Sequence, residues 1–226
     1  MATDGSTETA RGKVERTEPT RPQQAAARRF AESKATIPHL YLEIDAELQD
    51  AQPDDTARAA LVVRAAALAL LEHPRLNGAY RDGRFEAYSR INVGVAIGTG
   101  QDAVIPTIFD AQGKRADAIA AELSLLSERF EAGALTSPEL AGGTFTVNAV
   151  SGAAVRSYTA VISQGQAAAL AAGAVTERAV VRGSEVTIKP VITLTLSCDA
   201  RIVGAGEAAA FLEALRSLLE APERLA

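Results

Sequence analysis

Val186-Thr-Ile-Lys-Pro-Val-Ile-Thr-Leu-Thr-Leu-Ser-Cys-Asp199 sets Val186, Ile188, Ile192, Leu194 and Leu196 against Thr187, Lys189, Thr193, Thr195 and Ser197. Successive side chains of an extended chain point to opposite faces, so this alternation predicts a long strand with one apolar and one polar face. A few residues on, Glu207 to Glu220 places Phe211, Leu212, Leu215, Leu218 and Leu219 on one side at helical spacing. A half-polar strand running straight into an amphipathic helix predicts a mixed α/β domain of the α+β type, and the rest of the chain supplies its other layers.

Working back, Ala167 to Ala174 reads as an apolar strand, and Thr144 to Asn148, after Gly142-Gly143, as another. Thr136-Ser-Pro-Glu139 has the form of a capped turn. Between Arg115 and Ala132, the residues Ala116, Ile119, Leu123, Leu126 and Phe130 recur at spacings of three and four and predict a helix. Arg84 to Tyr88, Asn92 to Ile97 and Ala103 to Pro106 are short strand candidates. Pro53 and Asp54 open a helix through Glu72 whose Leu61 to Leu71 portion is apolar nearly all round, which places it in the core; His73-Pro74 ends it. Leu40, Leu42 and Ile44 alternate with Tyr41, Glu43 and Asp45 as a half-buried strand. An Ala- and Arg-rich helix, Gln23 to Lys34, precedes it and is closed by Pro38. Residues 1–19 are nearly devoid of apolar side chains and are expected to form a disordered tail, since such a segment cannot offset its own ordering entropy. The domain then covers residues 20–226 without an internal repeat.

Composition narrows the function classes. The 226 residues are 47% hydrophobic, 23% charged and 4% aromatic, so alanine and β-branched side chains must do most of the packing. A net charge of −5 with scattered basic residues offers no nucleic-acid footprint. No apolar run is long enough for a membrane span, and the polar N-terminus is unlike a secretory signal, so a cytoplasmic location is expected. The single cysteine, Cys198, has no internal partner and no metal-ligand spacing around it.

Collinear segments then carry a resemblance. Ala27-Arg-Arg-Phe-Ala-Glu-Ser-Lys34, Ile37-Pro-His-Leu40, Ala65-Ala-Ala-Leu-Ala-Leu70 and Ile91-Asn-Val-Gly-Val-Ala96 come first. Gly142-Gly-Thr-Phe-Thr146, Pro190-Val-Ile-Thr-Leu-Thr-Leu-Ser197 and Glu220-Ala-Pro-Glu-Arg-Leu225 follow in order. Together they resemble the catalytic domain of the dihydrolipoamide acyltransferases, over roughly residues 20–226. The resemblance implies a mixed-sheet, chloramphenicol acetyltransferase-like fold and a homotrimer with active sites in channels between subunits. It implies a coenzyme A thioester as acyl donor, with no covalently bound cofactor. The lipoyl and peripheral-subunit-binding domains that accompany this domain in the family do not occur in the 226 residues, so a stand-alone member is expected.

In that family an Asp-His-Arg-x-x-Asp-Gly motif supplies the base, and a Ser or Thr from the neighbouring subunit supplies an oxyanion donor. A histidine titrates near working pH, and a preorganised donor at an oxyanion is worth about 3 kcal/mol. The matching stretch here is Asp199-Ala-Arg-Ile-Val-Gly-Ala-Gly206. Asp199 and Arg201 keep their places and are expected to form a structural ion pair. The base position is Ala200, the second aspartate position is Gly204, and the Ser/Thr position is Asn148, whose amide can still donate. Ser163-Gln-Gly-Gln166 replaces a proline-rich turn, and Glu131 stands where an arginine is common. His39 and His73 read as structural histidines, Cys198 as a buried inert thiol and Tyr158 as packing near a channel entrance, each set against a catalytic alternative.

Three functions fit. The first is an acyltransferase of specialised metabolism, moving an acetyl or acyl group from coenzyme A or an acyl carrier protein to a hydroxyl, for example on a tetronate, with its base position vacant. The second is a catalytically inactive accessory trimer related to dehydrogenase-complex cores. The third is a different reaction, such as cyclisation or elimination, in the same channel.

Overall fold

The computed structural model describes residues 4–49, 54–98, 103–149 and 154–225. In chain order it runs β1 (Asp4–Thr9), β2 (Gly12–Arg16), α1 (Arg21–Thr36), β3 (His39–Glu47), α2 (Asp55–Glu72), β4 (Gly78–Arg81), β5 (Arg84–Ala87) and β6 (Val93–Val95). Then come β7 (Thr107–Ile108), α3 (Ala116–Glu131), β8 (Phe145–Ala149), β9 (Ala168–Ala172), β10 (Thr176–Arg182), β11 (Glu185–Asp199) and α4 (Ala205–Leu219).

The predicted long strand is β11, and it organises the seven-stranded sheet. Its C-terminal half pairs antiparallel with β3 on one side, from Val191 opposite Glu47 to Asp199 opposite His39. On the other side it meets β9 and β10. From β9 the sheet continues through β8 and β6, both parallel pairings, to the short antiparallel edge β7. The sheet is therefore mixed, as the α+β reading required.

The two faces of β11 differ as its alternation demands. Ile192, Leu194, Leu196 and Cys198 face the helices and join the main core with α2, α3 and α4. Helix α2 buries Ala59, Ala60, Val62, Val63, Ala65, Ala66, Ala67, Ala69 and Leu70, so it is a core helix whose small side chains let its neighbours approach. Asp54 caps it, its carboxylate accepting the Ala57 N–H at 2.7 Å, which satisfies one of the unpaired donors of the first turn. Pro53 lies outside the described residues.

Thr193, Thr195, Ser197 and Asp199, at 2, 1, 0 and 1% exposure, form a buried polar row on the other face. Such a row is tolerable only if each group finds a partner. The Thr193 hydroxyl donates to Asp45 and the Thr195 hydroxyl to Glu43, both on the neighbouring β3. The Ser197 hydroxyl donates to the Ala160 carbonyl at 2.7 Å. Ala160 belongs to residues 154–163, an extended stretch outside any strand that crosses this face. Helix α1 holds it: the Ser33 hydroxyl donates to Ile162 O at 2.6 Å, and Ile37 packs with Ala160, Ile162, Ala169 and Ala171 in a second small core.

Several expectations change. Where a disordered tail was expected over 1–19, β1 and β2 form a hairpin, closed at Gly12 with φ 89°. Backbone pairing needs no apolar side chain, which is why composition missed it. Ala103 to Pro106 contributes a single bridge, Val104 to Ile97, rather than a strand, and β7 begins just after it. The reading overlooked β4 and β10. In β10, Glu177 and Arg178 are followed by Ala179, Val180 and Val181 in one run, without a period of two, and on its hairpin Val181, Val186 and Ile188 stay 68, 69 and 71% exposed, so no burial pattern marks it.

Gly173 shows how closely the 154–163 stretch lies on the sheet, since a Cβ there would sit 1.9 Å from Arg156 O. Gly173→Ala is expected to cost about 1–3 kcal/mol through overpacking against backbone. Gly113→Ala, where nothing lies within 4 Å, should stay within about 0.5 kcal/mol of wild type. Urea unfolding of the two variants checks this.

Candidate functional site

The strand β11 delivers Asp199 to the turn that leads into α4. Asp199 N–H donates to Ala167 O at 2.8 Å, and the Ile202 and Val203 N–H groups both donate to Asp199 O at 3.0 Å, so the turn folds back on the strand end. The buried carboxylate accepts the Arg201 N–H at 3.0 Å, Arg201 Nε at 2.9 Å and Arg201 Nη2 at 2.6 Å. This is the bidentate arrangement in which guanidinium and carboxylate bind most strongly. Arg201 in turn lies over the Tyr80 ring, 4.5 Å from its centroid. The hydrogen bond to Asp199, ahead of its charge, holds the guanidinium above its ordinary pKa.

Ala200 projects from this turn into solvent, with its N–H on Pro38 O at 2.9 Å. Gly204 is the N-cap residue of α4, exposed and in extended conformation, and a Cβ there would meet nothing within 4 Å. Glycine in place of an aspartate at such a cap costs only a few tenths of a kcal/mol, so the change is structurally cheap.

Asn148 lies elsewhere. It sits on the polar face of β8 and lines a cavity of about 490 Å³ with Gly94, Ile105, Tyr158, Gln166 and Arg29 among its walls. Ala200 does not line that cavity. Gln166, 6% exposed, ties the wall together: its amide oxygen accepts the Thr146 hydroxyl at 2.7 Å and its amide nitrogen donates to Gly143 O at 3.0 Å. At Gly94 a Cβ would come within 2.7 Å of the Ile105 side chain, so glycine there lets the two walls meet. Among the described lining residues none is Asp, Glu or His, and Arg29 is exposed. The cavity can therefore offer neutral hydrogen bonds to a polar group, but among the described residues it holds no side chain that takes up a proton near neutral pH.

The remaining candidates are placed as follows. His39 Nδ1 donates to Ile37 O at 2.8 Å and Nε2 accepts the Ile162 N–H at 3.2 Å, so both ring nitrogens are engaged. Burial, the largest influence, pushes its pKa below the ordinary histidine value. His73 caps the end of α2 and sits edge-on to Phe211. Cys198 is fully buried facing the helices, and burial pushes its thiol up to about 12. Tyr158 packs on the small core beneath residues 154–163 and also lines the cavity. The sequence reading missed that Arg29, Gln166 and residues 158–164 line a cavity; a stretch without periodicity gives no such signal.

Comparison with known proteins places this geometry. The model of the 2-oxoacid dehydrogenases acyltransferase catalytic domain matches residues 11–226. Component 2 of the mitochondrial pyruvate dehydrogenase complex dihydrolipoyllysine-residue acetyltransferase of Arabidopsis thaliana is 31% identical over 221 residues, 90% of this chain and 41% of that protein. The chain thus spans less than half of that relative. The dihydrolipoamide acetyltransferase of Azotobacter vinelandii, studied for the catalytic roles of a serine, a histidine and an asparagine, superposes with a TM-score of 0.88 at 22% identity, covering 100% of this chain and 99% of that one. Chloramphenicol acetyltransferase superposes with a TM-score of 0.50 at 15% identity, covering 85% and 94%, and shares the fold.

Two measurements test the turn and the histidine. Arg201→Ala leaves the Asp199 carboxylate buried with one partner fewer and is expected to cost roughly 2–3 kcal/mol, less than for a fully buried pair because Arg201 is one-third exposed. Asp199→Asn added to it should recover part of the loss in urea unfolding. For His39 the folded pKa lies below the unfolded one, so on acidification the unfolded chain takes the proton first. Stability is therefore full above about pH 6.5 and falls as the pH drops below it. His39→Gln, which keeps hydrogen-bonding atoms, should flatten that slope in thermal melts between pH 7 and 5.

Proposed function

The chain belongs to the 2-oxoacid dehydrogenase acyltransferase family, and on that footing we propose that it binds an acyl thioester, of coenzyme A or of an acyl carrier protein, in the Asn148 cavity and transfers its acyl group to a hydroxyl acceptor. The observation that carries this reading is Asn148 itself. Its side-chain amide lines the cavity and has no hydrogen-bond partner among the described residues, at the position where the family resemblance implies an oxyanion donor. Acyl transfer needs a donor that polarises the thioester carbonyl and a group that takes the acceptor's proton. Asn148 fills the first role. Ala200 leaves the second vacant, so any turnover relies on a basic acceptor or on water, and is slow.

We propose a homotrimer as the assembly. Val181, Val186 and Ile188 on the β10–β11 hairpin form an exposed apolar face of the kind that a partner subunit covers. A second reading has its own support: because Ala200 and Asn148 lie on separate surfaces, this chain in a mixed trimer would meet the histidine of a catalytically complete homologue with its Asn148 cavity. In that case it is an accessory subunit.

Turnover of acetyl-coenzyme A with hydroxylated acceptors separates these readings, with trimer mass measured by light scattering. Ala200→His is expected to raise the rate by about 10²-fold or more, the usual worth of a general base. Asn148→Ala in that background should remove roughly 10²-fold again. Failure of both proteins to bind coenzyme A or an acyl carrier overturns the enzyme reading. Mixed trimers with an active homologue, recovered on co-expression, favour the accessory one.

A further inference from the structure

We infer that Tyr158 is a second hydrogen-bond donor in the cavity and that, paired with Asn148, it grips the carbonyl of the bound acyl thioester. The inference rests on the thioester reading above and adds to it the residue that completes the carbonyl site.

Three observations converge on Tyr158. The first is placement. Asn148 on β8 is the cross-strand partner of Ala171 on β9. Ala171 belongs to the small core of Ile37, Ala160, Ile162 and Ala169 against which the Tyr158 ring packs. Tyr158 and Asn148 therefore border the same small core, and both line the same 490 Å³ cavity.

The second is availability. The polar groups of the cavity wall around Gln166 are consumed by one another, Thr146 on its oxygen and Gly143 on its nitrogen. The hydroxyl of Tyr158, like the amide of Asn148, has no hydrogen-bond partner among the described residues. Phenylalanine would serve the packing equally well, so the hydroxyl is surplus to the fold. Tyr158 is half-buried, and an acceptor on a ligand in the cavity would give its hydroxyl the partner that the fold does not.

The third is chemistry. Burial pushes the Tyr158 phenol up to about 12, so it stays protonated at every pH at which the protein works and can only be a donor toward a carbonyl oxygen. Among the described lining residues no carboxylate competes for it. Two neutral donors on the lining of one pocket, with no acid among its described residues, match a neutral, polarisable acceptor, and a thioester carbonyl is one.

The test compares two probes that differ in that oxygen alone: hexanoyl-coenzyme A and its thioether analogue hexyl-coenzyme A, titrated calorimetrically into wild type and Tyr158→Phe. Wild type is expected to prefer the thioester, and Tyr158→Phe to weaken it by roughly three- to tenfold while leaving the thioether unchanged, the worth of one hydrogen bond. With a carbon-13 label at the carbonyl, its infrared stretch should move to lower frequency on binding wild type and part of the way back in the variant. Equal loss for both probes, or no loss for either, overturns the role of Tyr158 and leaves the thioester reading standing. An unshifted carbonyl stretch on wild type overturns the carbonyl grip of Tyr158 and Asn148 alike, and with it the role of Asn148 on which the thioester reading rests. If wild type binds neither probe, the thioester reading falls and this inference with it.

Discussion

A carboxylate buried to 1% exposure at the end of a strand cannot be left to itself, and the answer to Asp199 shapes the whole region around it. The chain turns back at once so that Arg201 can meet it, with backbone N–H and guanidinium together, and that turn decides where everything else goes. Ala200, at the apex between the paired residues, is thrown outward; Gly204 becomes the cap of α4; Arg201 comes to rest on Tyr80. The scaffold of the turn is thus maintained by the two residues on either side of Ala200, and none of its interactions passes through the side chain at 200. Chemistry at that position can be lost with little cost to the fold, because the ion pair is a packing device.

The same separation runs through the polar face of the sheet. Thr193, Thr195 and Ser197 are satisfied by β3 and by the 154–163 stretch, and that stretch, pinned by α1 through Ser33 and Ile37, is also the wall of the cavity. A need to satisfy buried hydroxyls therefore builds, as a by-product, a pocket with Asn148 and Tyr158 on its lining. Substitutions within the pocket alter what it binds while leaving the row of hydroxyls that holds the wall in place.

Much of this was legible in the residues. The alternation of 186–197 defined the central strand and both of its faces, and the apolar girdle of 61–71 marked α2 as the core helix, because burial on one or all sides leaves a periodic imprint. The Asp199–Arg201 pairing followed from family resemblance, and the geometry gives its physical basis. What could not be read was whatever lacks such an imprint: the hairpin at Asp4–Arg16, held by backbone pairing, the exposed strand β10, and above all residues 154–163. The conformation of residues 154–163 is imposed by Ser33, His39 and Ser197, residues up to 129 positions away in sequence, and no local pattern encodes a contact of that range. Tyr158 looked like a packing residue for the same reason, and it is one; only the cavity beside it gives the hydroxyl a purpose.

The placement of Cys198 has a consequence for the protein's own integrity. It is the sole sulfhydryl in the chain, and it lies one residue from the motif turn. It takes the helix-facing side of β11, and burial there favours the neutral thiol over the reactive thiolate. The motif turn is thus anchored by a strand end whose sulfur serves as apolar packing and is kept away from the surface that carries Ala200.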